Sequence, residues 1–590
     1  MKIAKNIFTY LFTPIIAVII FISYFQLWQF NLDEPIFSYS QDGLFHLILN
    51  KITISEGWFL TSPQLGYPQL DSVFNLSDFP IQADMFNFLL VKFFAIFSKN
   101  AVFVTNCYFI FTFAFSSFTA FIVFRAFRIT NLSAFLLSIL FAFLPYHFVR
   151  SSWHLFLSNY AVIPLLIMCA LWICEGKINL ICKNAKNQIS FLPNRYFFIS
   201  LLIVIFSTTN GIYYIFYGLI IFIFAWFLKS LDEGKFFNNS VATIIFLGFT
   251  TIITLFILYF SSFAYWAKFG SNPYVANRDI FHSEYFALRL VDLLMPVQNH
   301  FINFLSNLRI AFDEGLSIES ERRASSLGIL IASAFLFSLL WILVTKENNF
   351  YQRTISFLKL NNGEEKLINN LSQLNLLSLL FASVGGFVIL MVMSFPLIRS
   401  HARFCLFIAF FSLILLAIIF DKISQKHLLG KFFIILISIL ALFDQVGSAK
   451  LLQERARKEQ IIFNNDKIFV KNVEKSNAKQ IFILPVFGFP EGGDEYKGLR
   501  IYINSDSLKL SYPAIKGRKA NLWQEEIKNL PFRDFIFELR KHGFDGVIIN
   551  RSHFGTNKTW QELRVLEKNL KQACKSQIVS PDLNWIFYKI

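Results

Sequence analysis

Residues 404–420 read FCLFIAFFSLILLAIIF, an apolar run that contains no charged side chain. An α-helix rises 1.5 Å per residue, so a run of about 17–25 apolar residues crosses a hydrocarbon layer of about 30 Å. Runs of this kind recur along much of the 590-residue chain. The chain is 55% hydrophobic and 16% charged, whereas about a quarter of the residues in soluble domains are charged. The sequence therefore predicts a polytopic α-helical membrane protein.

We expect about eleven membrane-spanning helices. They lie near residues 7–28, 101–124, 131–149, 155–174, 196–209, 211–228, 240–261, 325–345, 374–395, 404–420 and 432–449. The first run is too long for the apolar region of a cleaved signal peptide and is interpreted as a span. The pair at 196–228 is short and broken at Asn210 and Gly211, which is typical of a helical hairpin that does not fully cross.

The charges of the loops predict the orientation. Residues 29–82 hold six acidic side chains and a single basic one. The alternate loops are basic, and cytoplasmic loops carry an excess of Lys and Arg. The N-terminus is therefore expected inside the cell and residues 450–590 outside. Run 83–98 is interpreted as a helix on the outer surface, because one more crossing would invert the later loops. The net charge of +16 fits these basic loops, and no recognition motif suggests nucleic acid.

Two outer segments, 29–100 and 262–323, are long, and long loops in compact proteins are usually functional. Residues 450–590 differ in character from residues 1–449, since strand-like runs alternate there with helical patterns. The strand-like runs are 480–485, 546–550 and 585–590, and the helical patterns are 531–542 and 560–573. The sequence thus predicts a transmembrane domain, 1–449, followed by a soluble α/β domain. The six cysteines form no disulfide framework or metal-binding spacing.

The stretch 39–46, YSQDGLFH, begins shortly after the first span. From Asp42 to residue 56 the pattern is helical, with Leu44, Ile48 and Ile52 on one face. The other face carries polar side chains, namely Asp42, His46, Asn50 and Thr53. This predicts an amphipathic helix lying in the outer interface. Asp42 at its start is a candidate catalytic residue, although Asp is also a common helix N-cap.

Three further outer positions are candidate substrate contacts. Asp84 begins the second interfacial helix, where an N-cap role is the alternative. Arg150 and His154 lie four residues apart at the outer membrane edge. Charges at membrane depth tend to mark substrate sites, although a basic side chain can also reach up to lipid headgroups. The loop 262–323 carries charges of both signs, including Glu321-Arg322-Arg323, and no residue in it is singled out.

The stretch 395–404, FPLIRSHARF, precedes the tenth span. If a helix begins near Pro396, Arg399 and Arg403 share a face beside its N-terminus. Two guanidinium groups at that positive end would suit a phosphate, and His401 between them is included as a contact. Two arginines in an outer loop also depart from the charge distribution described above. A divalent cation, Mg²⁺ or Mn²⁺, between Asp42, Asp84 and the loop 262–323 stays open.

These motifs together resemble those of the GT-C superfamily of multi-span glycosyltransferases, and more narrowly those of bacterial YfhO-like membrane proteins. The resemblance covers essentially the whole chain. Its motifs are Gln41-Asp42-Gly43, residues 65–68 (LGYP), residues 78–80 (DFP), Pro145-Tyr146-His147 with Arg150 and His154, and residues 399–404 (RSHARF). The order of these motifs and the expected outer α/β domain match the family's layout.

The resemblance implies transfer of a sugar from a polyprenyl-phosphate donor to a glycan, lipid or protein acceptor, with inversion, outside the bacterial inner membrane. It implies an acidic catalytic base in the first outer loop. Asp42 matches that position, although the pair Asp33-Glu34 also resembles the acidic motif of many members. Arg399 and Arg403 would bind the phosphate, Arg150 and His154 a second anion or sugar, and Asp84 acceptor hydroxyls.

Two other classes of function stay open. A transporter or flippase for a lipid-linked saccharide would place ionisable residues near the membrane midplane and would often show internal repeats. The charged residues lie mostly at the outer edge, and no repeat is evident. A non-catalytic envelope assembly protein would tolerate replacement of Asp42.

Overall fold

The computed structural model describes residues 2–70, 72–150, 153–178, 180–183, 189–236, 239–316, 320–344, 347–393, 398–490, 493–554, 557–574 and 576–590. Helices dominate up to residue 449, and a small sheet lies in the C-terminal part. The elements up to residue 269 are α1 (Lys2–Phe25), α2 (Gln41–Ser55), β1 (Thr61–Ser62), β2 (Phe74–Asn75), α3 (Met85–Phe94), α4 (Ala101–Ala126), α5 (Asn131–Ala142), α6 (Pro145–Val149), α7 (Val162–Cys174), β3 (Ile181–Lys183), β4 (Ile189–Phe191), α8 (Arg195–Thr208), α9 (Ile212–Glu233), α10 (Asn239–Leu258) and α11 (Phe260–Phe269).

The remaining elements of the membrane part are α12 (Phe281–Tyr285), α13 (Leu290–Leu294), α14 (Asn303–Leu316), α15 (Ser320–Arg323), α16 (Ile329–Leu343), α17 (Asn349–Leu358), α18 (Asn362–Ala382), α19 (Val388–Val392), α20 (Cys405–Lys426) and α21 (Leu428–Val446). Those of the C-terminal part are α22 (Lys450–Lys475), β5 (Gln480–Leu484), β6 (Gly488–Phe489), α23 (Leu499–Asn504), β7 (Lys509–Leu510), β8 (Ala514–Ile515), α24 (Lys519–Ile527), α25 (Phe532–Lys541), β9 (Gly546–Asn550), α26 (Asn557–Ala573), β10 (Ser576–Val579) and β11 (Trp585–Lys589).

Ten of the predicted spans coincide with apolar helices, so the chain is a polytopic membrane protein. Six helical segments within the described residues are long and apolar enough to cross, namely 101–126, 131–149, 212–233, 240–258, 401–425 and 428–446. Four shorter apolar helices cover 9–25, 162–174, 195–208 and 329–343. As predicted, run 83–98 does not cross, because α3 has ten residues and spans only about 15 Å.

The predicted ninth span, 374–395, has the wrong bounds. A capping box between Asn361 and Glu364 starts α18 earlier, at Asn362. The helix ends at Ala382, and the chain turns through Gly385, which adopts a positive φ of 69°. The apolar pattern of this region therefore belongs to the second half of α18 and to the short α19.

Contacts between loops show that alternate connections gather at one end of the bundle, here named the site end. The amide of Gly211 donates to the carbonyl of Ala83 at 3.0 Å, and the hydroxyl of Tyr24 donates to the carbonyl of Val446 at 2.8 Å. The other end holds the basic loops, where Lys422 pairs with Glu364 at 2.7 Å. Both long segments predicted as outer, and the C-terminal domain, thus lie at the site end.

Helix α2 has the predicted extent, but its predicted environment is wrong. Leu44, Ile48 and Ile52 are buried as expected. Asn50 and Thr53, predicted on an interfacial polar face, are buried as well, and the Asn50 amide donates to Thr105 Oγ1 at 2.9 Å. Helix α4 packs on this side of α2, and the C-terminal domain packs on α2 through Phe45 and Lys51. Asp42 and His46 in the first turns remain partly exposed.

The C-terminal domain is built on a mixed sheet with strand order β10-β11-β9-β5-β7. β5 runs parallel to β7 and β9, while β11 runs antiparallel to β9 and β10. The predicted strands are β5, β9 and β11, and the predicted helices are α25 and α26. One buried apolar cluster joins this domain to α1, α2 and α4, so the domain packs tightly onto the first outer loop.

Candidate active site

Asp42 lies in the first turn of α2, where its carboxylate pairs with a histidine. Ser40, not Asp42, is the N-cap residue of this helix. Oδ2 of Asp42 lies 2.6 Å from Nε2 of His154, and the Asp42 side chain remains 37% exposed. His46, one turn further along α2, places Nδ1 2.6 Å from the Asp42 carbonyl oxygen. The carboxylate is therefore held in place and still accessible from outside.

The neighbours of Asp42 hold it in the ionised form. Burial is the largest single influence and disfavours the charged carboxylate, but the neighbours together outweigh it: the charge and hydrogen bond of His154 act most strongly, and His46 and Arg150 act in the same direction. Together they keep the pKa of Asp42 well below its usual range. Asp42 is thus a carboxylate at neutral pH and can only accept hydrogen bonds.

An ion network continues inward from His154. Nη2 of Arg150 lies 3.0 Å from Nε2 of His154 and 3.4 Å from Oε2 of Glu321. The other oxygen of Glu321, Oε1, accepts a 2.7 Å hydrogen bond from Nε of Arg403, and Ser400 Oγ donates to Oε2 at 3.1 Å. One buried carboxylate therefore joins two arginines that are far apart in sequence.

Glu321 is charged because both arginines surround it. Burial alone would raise the pKa of its carboxyl, but Arg150 and Arg403 outweigh burial and lower it to about 2. The guanidinium of Arg403 also stacks on the ring of Tyr213 at 3.9 Å. This packing orients the planar guanidinium of Arg403 just before the N-terminal end of α20.

Several buried donors of this network have no hydrogen-bond partner among the described residues. They include Nε of Arg150 and Nη1 of Arg403. Buried polar groups in proteins are nearly always hydrogen-bonded. The two arginines therefore offer more donors than Glu321 accepts, as a site that binds a further anion would.

The predicted phosphate site is arranged differently from the expectation. Pro396 lies outside the described residues, and the chain at 398–400 is not helical. A short 3-10 helix covers His401–Phe404 and leads into α20 at Cys405. Arg399 and Arg403 therefore do not share a helical face. The Arg399 guanidinium lies 5.3 Å from the centre of the Phe286 ring and is partly exposed.

Arg399 and Arg403 also differ in their partners. Within the described part of the chain no carboxylate lies at salt-bridge distance from Arg399, whereas Arg403 pairs with Glu321. His401 is completely buried beneath them, between the rings of Tyr217 and Phe381. Of the three residues, Arg399 is the more exposed cation and His401 is packed in the core of the site.

Asp84 belongs to a different cluster from Asp42. It is the N-cap residue of α3 without a capping bond, and it accepts a 3.3 Å hydrogen bond from the Asn87 side chain. Burial raises the pKa of Asp84 to about 7. Asn87 in turn contacts Tyr108 and Asn159. Among the described residues no hydrogen bond or ion pair joins Asp84 directly to Asp42, and the ring of Phe156 lies between Tyr108 and His46.

A divalent cation between Asp42, Asp84 and the loop 262–323 stays a prediction. Metal sites for Mg²⁺ need several oxygen ligands close together, and the two carboxylates lie in separate clusters. The neighbours of Asp42 are histidines and an arginine, which suits an isolated carboxylate. Among the described residues, no group of three His, Cys, Asp or Glu side chains converges in a manner that could hold a metal.

The alternative acidic pair lies away from the network. Asp33 accepts a 3.0 Å hydrogen bond from the Asn100 side chain, and Glu34 accepts one from the Asn31 side chain. Both bonds are at the exposed surface of the first outer loop. Of the candidate acids, only Asp42 lies beside Arg150 and His154.

Sequence reasoning missed Glu321 as a site residue. It noted the run Glu321-Arg322-Arg323 but could not choose among the many charges of the loop 262–323. The available signal was weak, namely an acid followed by two arginines just before a span. Its role depends on contacts with Arg150 and Arg403, which are 171 and 82 residues away.

No family model matches the chain, and no curated protein matches it. Solved structures of low identity are similar to it. The arabinofuranosyltransferase AftD from mycobacteria is 10% identical with a TM-score of 0.46, over 92% of this chain and 35% of that one. This chain therefore spans about a third of the length of AftD.

Archaeal structures are similar as well. The oligosaccharyltransferase of Archaeoglobus fulgidus in its apo form is 11% identical, with a TM-score of 0.41, over 92% of this chain and 69% of that one. AglB of the same organism, in complex with an inhibitory peptide and a dolichol-phosphate, is 11% identical with a TM-score of 0.43, over 98% and 74%. The GT-C resemblance read from the sequence and the narrower YfhO-like resemblance both stay predictions.

Proposed function

We propose that the protein is a glycosyltransferase that moves a sugar from a polyprenyl-phosphate donor to a hydroxyl of a glycan, lipid or protein acceptor. The observation that carries the proposal is an accessible, ionised carboxylate, Asp42, 2.6 Å from His154 and next to a buried arginine network with surplus donors. A base beside a cationic site is what transfer from a phosphate leaving group requires.

In this mechanism the acceptor oxygen attacks the anomeric carbon while Asp42 takes the hydroxyl proton. The new glycosidic C–O bond forms as the bond from the anomeric carbon to the phosphate oxygen breaks, and polyprenyl phosphate leaves with the electron pair. Phosphate is a good leaving group, so no general acid is needed. A single displacement inverts the anomeric configuration, in contrast to the two-carboxylate chemistry of glycoside hydrolysis.

The arginines and histidines of the site bind the phosphate and orient the base. Arg399, without a carboxylate partner among the described residues, meets the donor phosphate first. Arg403 and Arg150 supply the unused donors that stabilise the phosphate charge as it develops. His154 orients Asp42 through its Nε2–H. Asp84 contacts an acceptor hydroxyl only if the acceptor reaches the separate cluster around Asn87, and His401 acts through packing. No step of this mechanism is routed through a divalent cation.

The site end is proposed to face outward from a bacterial plasma membrane. The supporting observation is that the basic loops, including the region of Lys422 and Lys366, gather at the opposite end of the bundle. The N-terminus would then be cytoplasmic and the C-terminal domain extracytoplasmic.

The test compares the native protein with Asp42→Asn in detergent, supplied with several polyprenyl-phosphate sugars and a crude envelope acceptor. Release of free polyprenyl phosphate is measured. The proposal expects release by the native chain and a loss of at least about 100-fold in the variant, the scale of general-base catalysis. Asp33→Asn is the matched control, since Asp33 lies in the same loop but contacts Asn100.

The outcomes separate the functions. Full activity of Asp42→Asn together with loss in Asp33→Asn would move the base to the other acidic pair, and equal loss in both variants would contradict a role specific to Asp42. Absence of release from any donor by the native chain would contradict the transferase proposal itself.

A further inference from the structure

Helix α14 is folded with an ion pair on its inward side and large apolar side chains on its outward side. Arg309 and Asp313, one turn apart, are 1% and 3% exposed and form a 2.8 Å ion pair. On the opposite side Phe304 is 72% exposed and Leu308 is 44% exposed. A water-facing helix shows the reverse arrangement, so the outer side of α14 is built for an apolar neighbour.

The helix has a third, polar flank. Asn307 and Glu314 are exposed there, about 60–100° around the helix from the stripe of Phe304 and Leu308 at 100° per residue. One side thus packs on protein, one is apolar and one is polar. This is the cross-section of a helix that lies at a membrane boundary, with the apolar stripe in the hydrocarbon and the polar flank in the headgroups.

The apolar stripe continues the lipid-facing surface of a membrane-spanning helix. Just before α14, the Phe301 ring lies 5.8 Å from the ring of Phe443 near the end of α21. Phe443 is 54% exposed and belongs to an exposed apolar face of α21 that also contains Leu436, Ile439 and Leu440. Since α21 crosses the membrane, that face lies against lipid, and Phe301 extends it to the start of α14, where Phe304 follows three residues later.

The depth of α14 is fixed at its start. Nε2 of His300 lies 3.1 Å from Oδ1 of Asp444, two residues before the end of α21. Asp444 also accepts a 2.6 Å hydrogen bond from the amide of Ile329 at the start of α16. The start of α14 therefore lies at the same membrane depth as the C-terminal end of α21 and the N-terminal end of α16. We infer that α14 follows the membrane surface from there.

The inward side of α14 is tied to the candidate active site. Arg323 on α15 places Nε 3.0 Å from Oδ2 of Asp313. Glu321, two residues earlier on the same short helix, pairs with Arg403 and Arg150. A displacement of α14 would therefore be passed to Glu321 through α15.

We propose that α14 is embedded in the outer boundary of the bilayer, where phospholipid acyl chains cover its Phe304–Leu308 stripe. This membrane contact holds α15 and Glu321 in place. The occupant is the bilayer hydrocarbon, because the stripe follows directly on Phe301, which contacts the lipid-facing side of α21. The inference concerns a membrane contact and does not depend on the transferase reaction.

The test uses the full chain in liposomes of phosphatidylethanolamine and phosphatidylglycerol. The photocrosslinking residue p-benzoylphenylalanine replaces Phe304, Leu308, Glu314 or Phe537 in separate variants, and lipid adducts are measured by mass spectrometry after illumination. Glu314 is the control on the polar flank of the same helix. Phe537 is the control for an exposed aromatic residue, 65% exposed on α25 of the C-terminal domain.

The proposal expects at least about fivefold more lipid adduct at positions 304 and 308 than at 314 and 537, because only the stripe faces acyl chains. Equal adduct at all four positions would overturn it, and so would crosslinks at 304 and 308 to a second copy of the chain. All four positions are exposed, so the substitutions leave the core intact, and elution as a monodisperse species verifies folding before illumination.

Discussion

His46 gives the site a pH dependence that can be measured without knowing the substrate. Burial, with the positive charge of His154, lowers its pKa to about 4 from 6.5. Between these values the unfolded chain binds a proton that the folded chain does not, so stability falls as the pH drops from 6.5 to 4. His46→Gln removes this contribution, and the melting temperature of the variant in detergent should fall less over that interval. His427→Gln, at an exposed position of the other end, should retain the native slope, and identical slopes for both variants would contradict the argument.

Glu321 is expected to be essential for stability. Its side chain is 3% exposed and that of Arg403 is 4% exposed. Arg150 pairs with the same carboxylate. Glu321→Gln keeps the shape but leaves two buried guanidinium groups unpaired, so the free energy of unfolding should fall by about 3–5 kcal/mol. Denaturant titration in detergent measures this change. Glu314→Gln, exposed on α14, should change stability by less than about 0.5 kcal/mol, and a Glu321 variant that behaved like it would show that the pair is not structural.

At the residue scale, the sequence identifies candidate site residues whose pattern lies within a few neighbouring positions. It does not identify residues whose role depends on partners far away in the chain. Asp42 was a candidate because the helical pattern that follows it and its position after the first span are visible over a few residues. Arg150 and His154 were candidates for the same reason. The carboxylate that joins Arg150 to Arg403 lies in a loop with many charges, and nothing in its own neighbourhood distinguishes Glu321 from them.

At the element scale, Gly43 shows how closely the start of α2 is fitted. A Cβ at this position would lie 2.2 Å from the carbonyl oxygen of Ser38, so Gly43→Ala must displace the turn that precedes Asp42. A misplacement of about 1 Å can cost about 100-fold in rate, and we expect polyprenyl phosphate release to fall by about that factor. Gly248→Ala is the matched control, because a Cβ there meets nothing within 4 Å. Equal activity of the two variants would contradict this role of the turn.

The elements that the sequence predicted well are those whose signal is a long apolar run or a clear alternation of strands and helices. Its errors lie where tertiary contacts decide. Asn50 looked like a residue of a water-facing side because its partner, Thr105 on α4, is distant in sequence. The helix expected near Pro396 begins only at His401, since Ser400 and Arg403 turn toward Glu321. α18 begins early because Asn361 and Glu364 form a capping box within a polar stretch.

At the scale of the whole molecule, the C-terminal domain and the first outer loop form one structure around α2. Nζ of Lys51, the only basic side chain of segment 29–82, is buried and donates to the carbonyl oxygens of Tyr502, Ile503 and Ser505. Burial lowers the pKa of Lys51, and Asp506 opposes that shift. The sequence predicted the domain but not this contact, because a lone lysine in an acidic loop carries no sign of a distant partner.

Arg518 joins three parts of the molecule and supports the last prediction. Its guanidinium binds both carboxylate oxygens of Asp78 in the first outer loop, at 2.7 and 2.6 Å, and donates to the carbonyl oxygens of Phe269 and Gly270 in the second. Asp78 is almost fully buried, so Arg518→Ala leaves a buried carboxylate without its cation.

The free energy of unfolding of Arg518→Ala should therefore fall by about 3–5 kcal/mol. Amide hydrogen exchange should also become faster in residues 61–79 and 509–518, on the two sides of the lost contact. Arg533→Ala, an exposed arginine on α25, is the control and should change neither quantity. If exchange rose only around position 518 and residues 61–79 kept their protection, the outer loop would be held by its other contacts, such as those of Lys51 with residues 502–505, and the Arg518–Asp78 pair would not be needed to hold it.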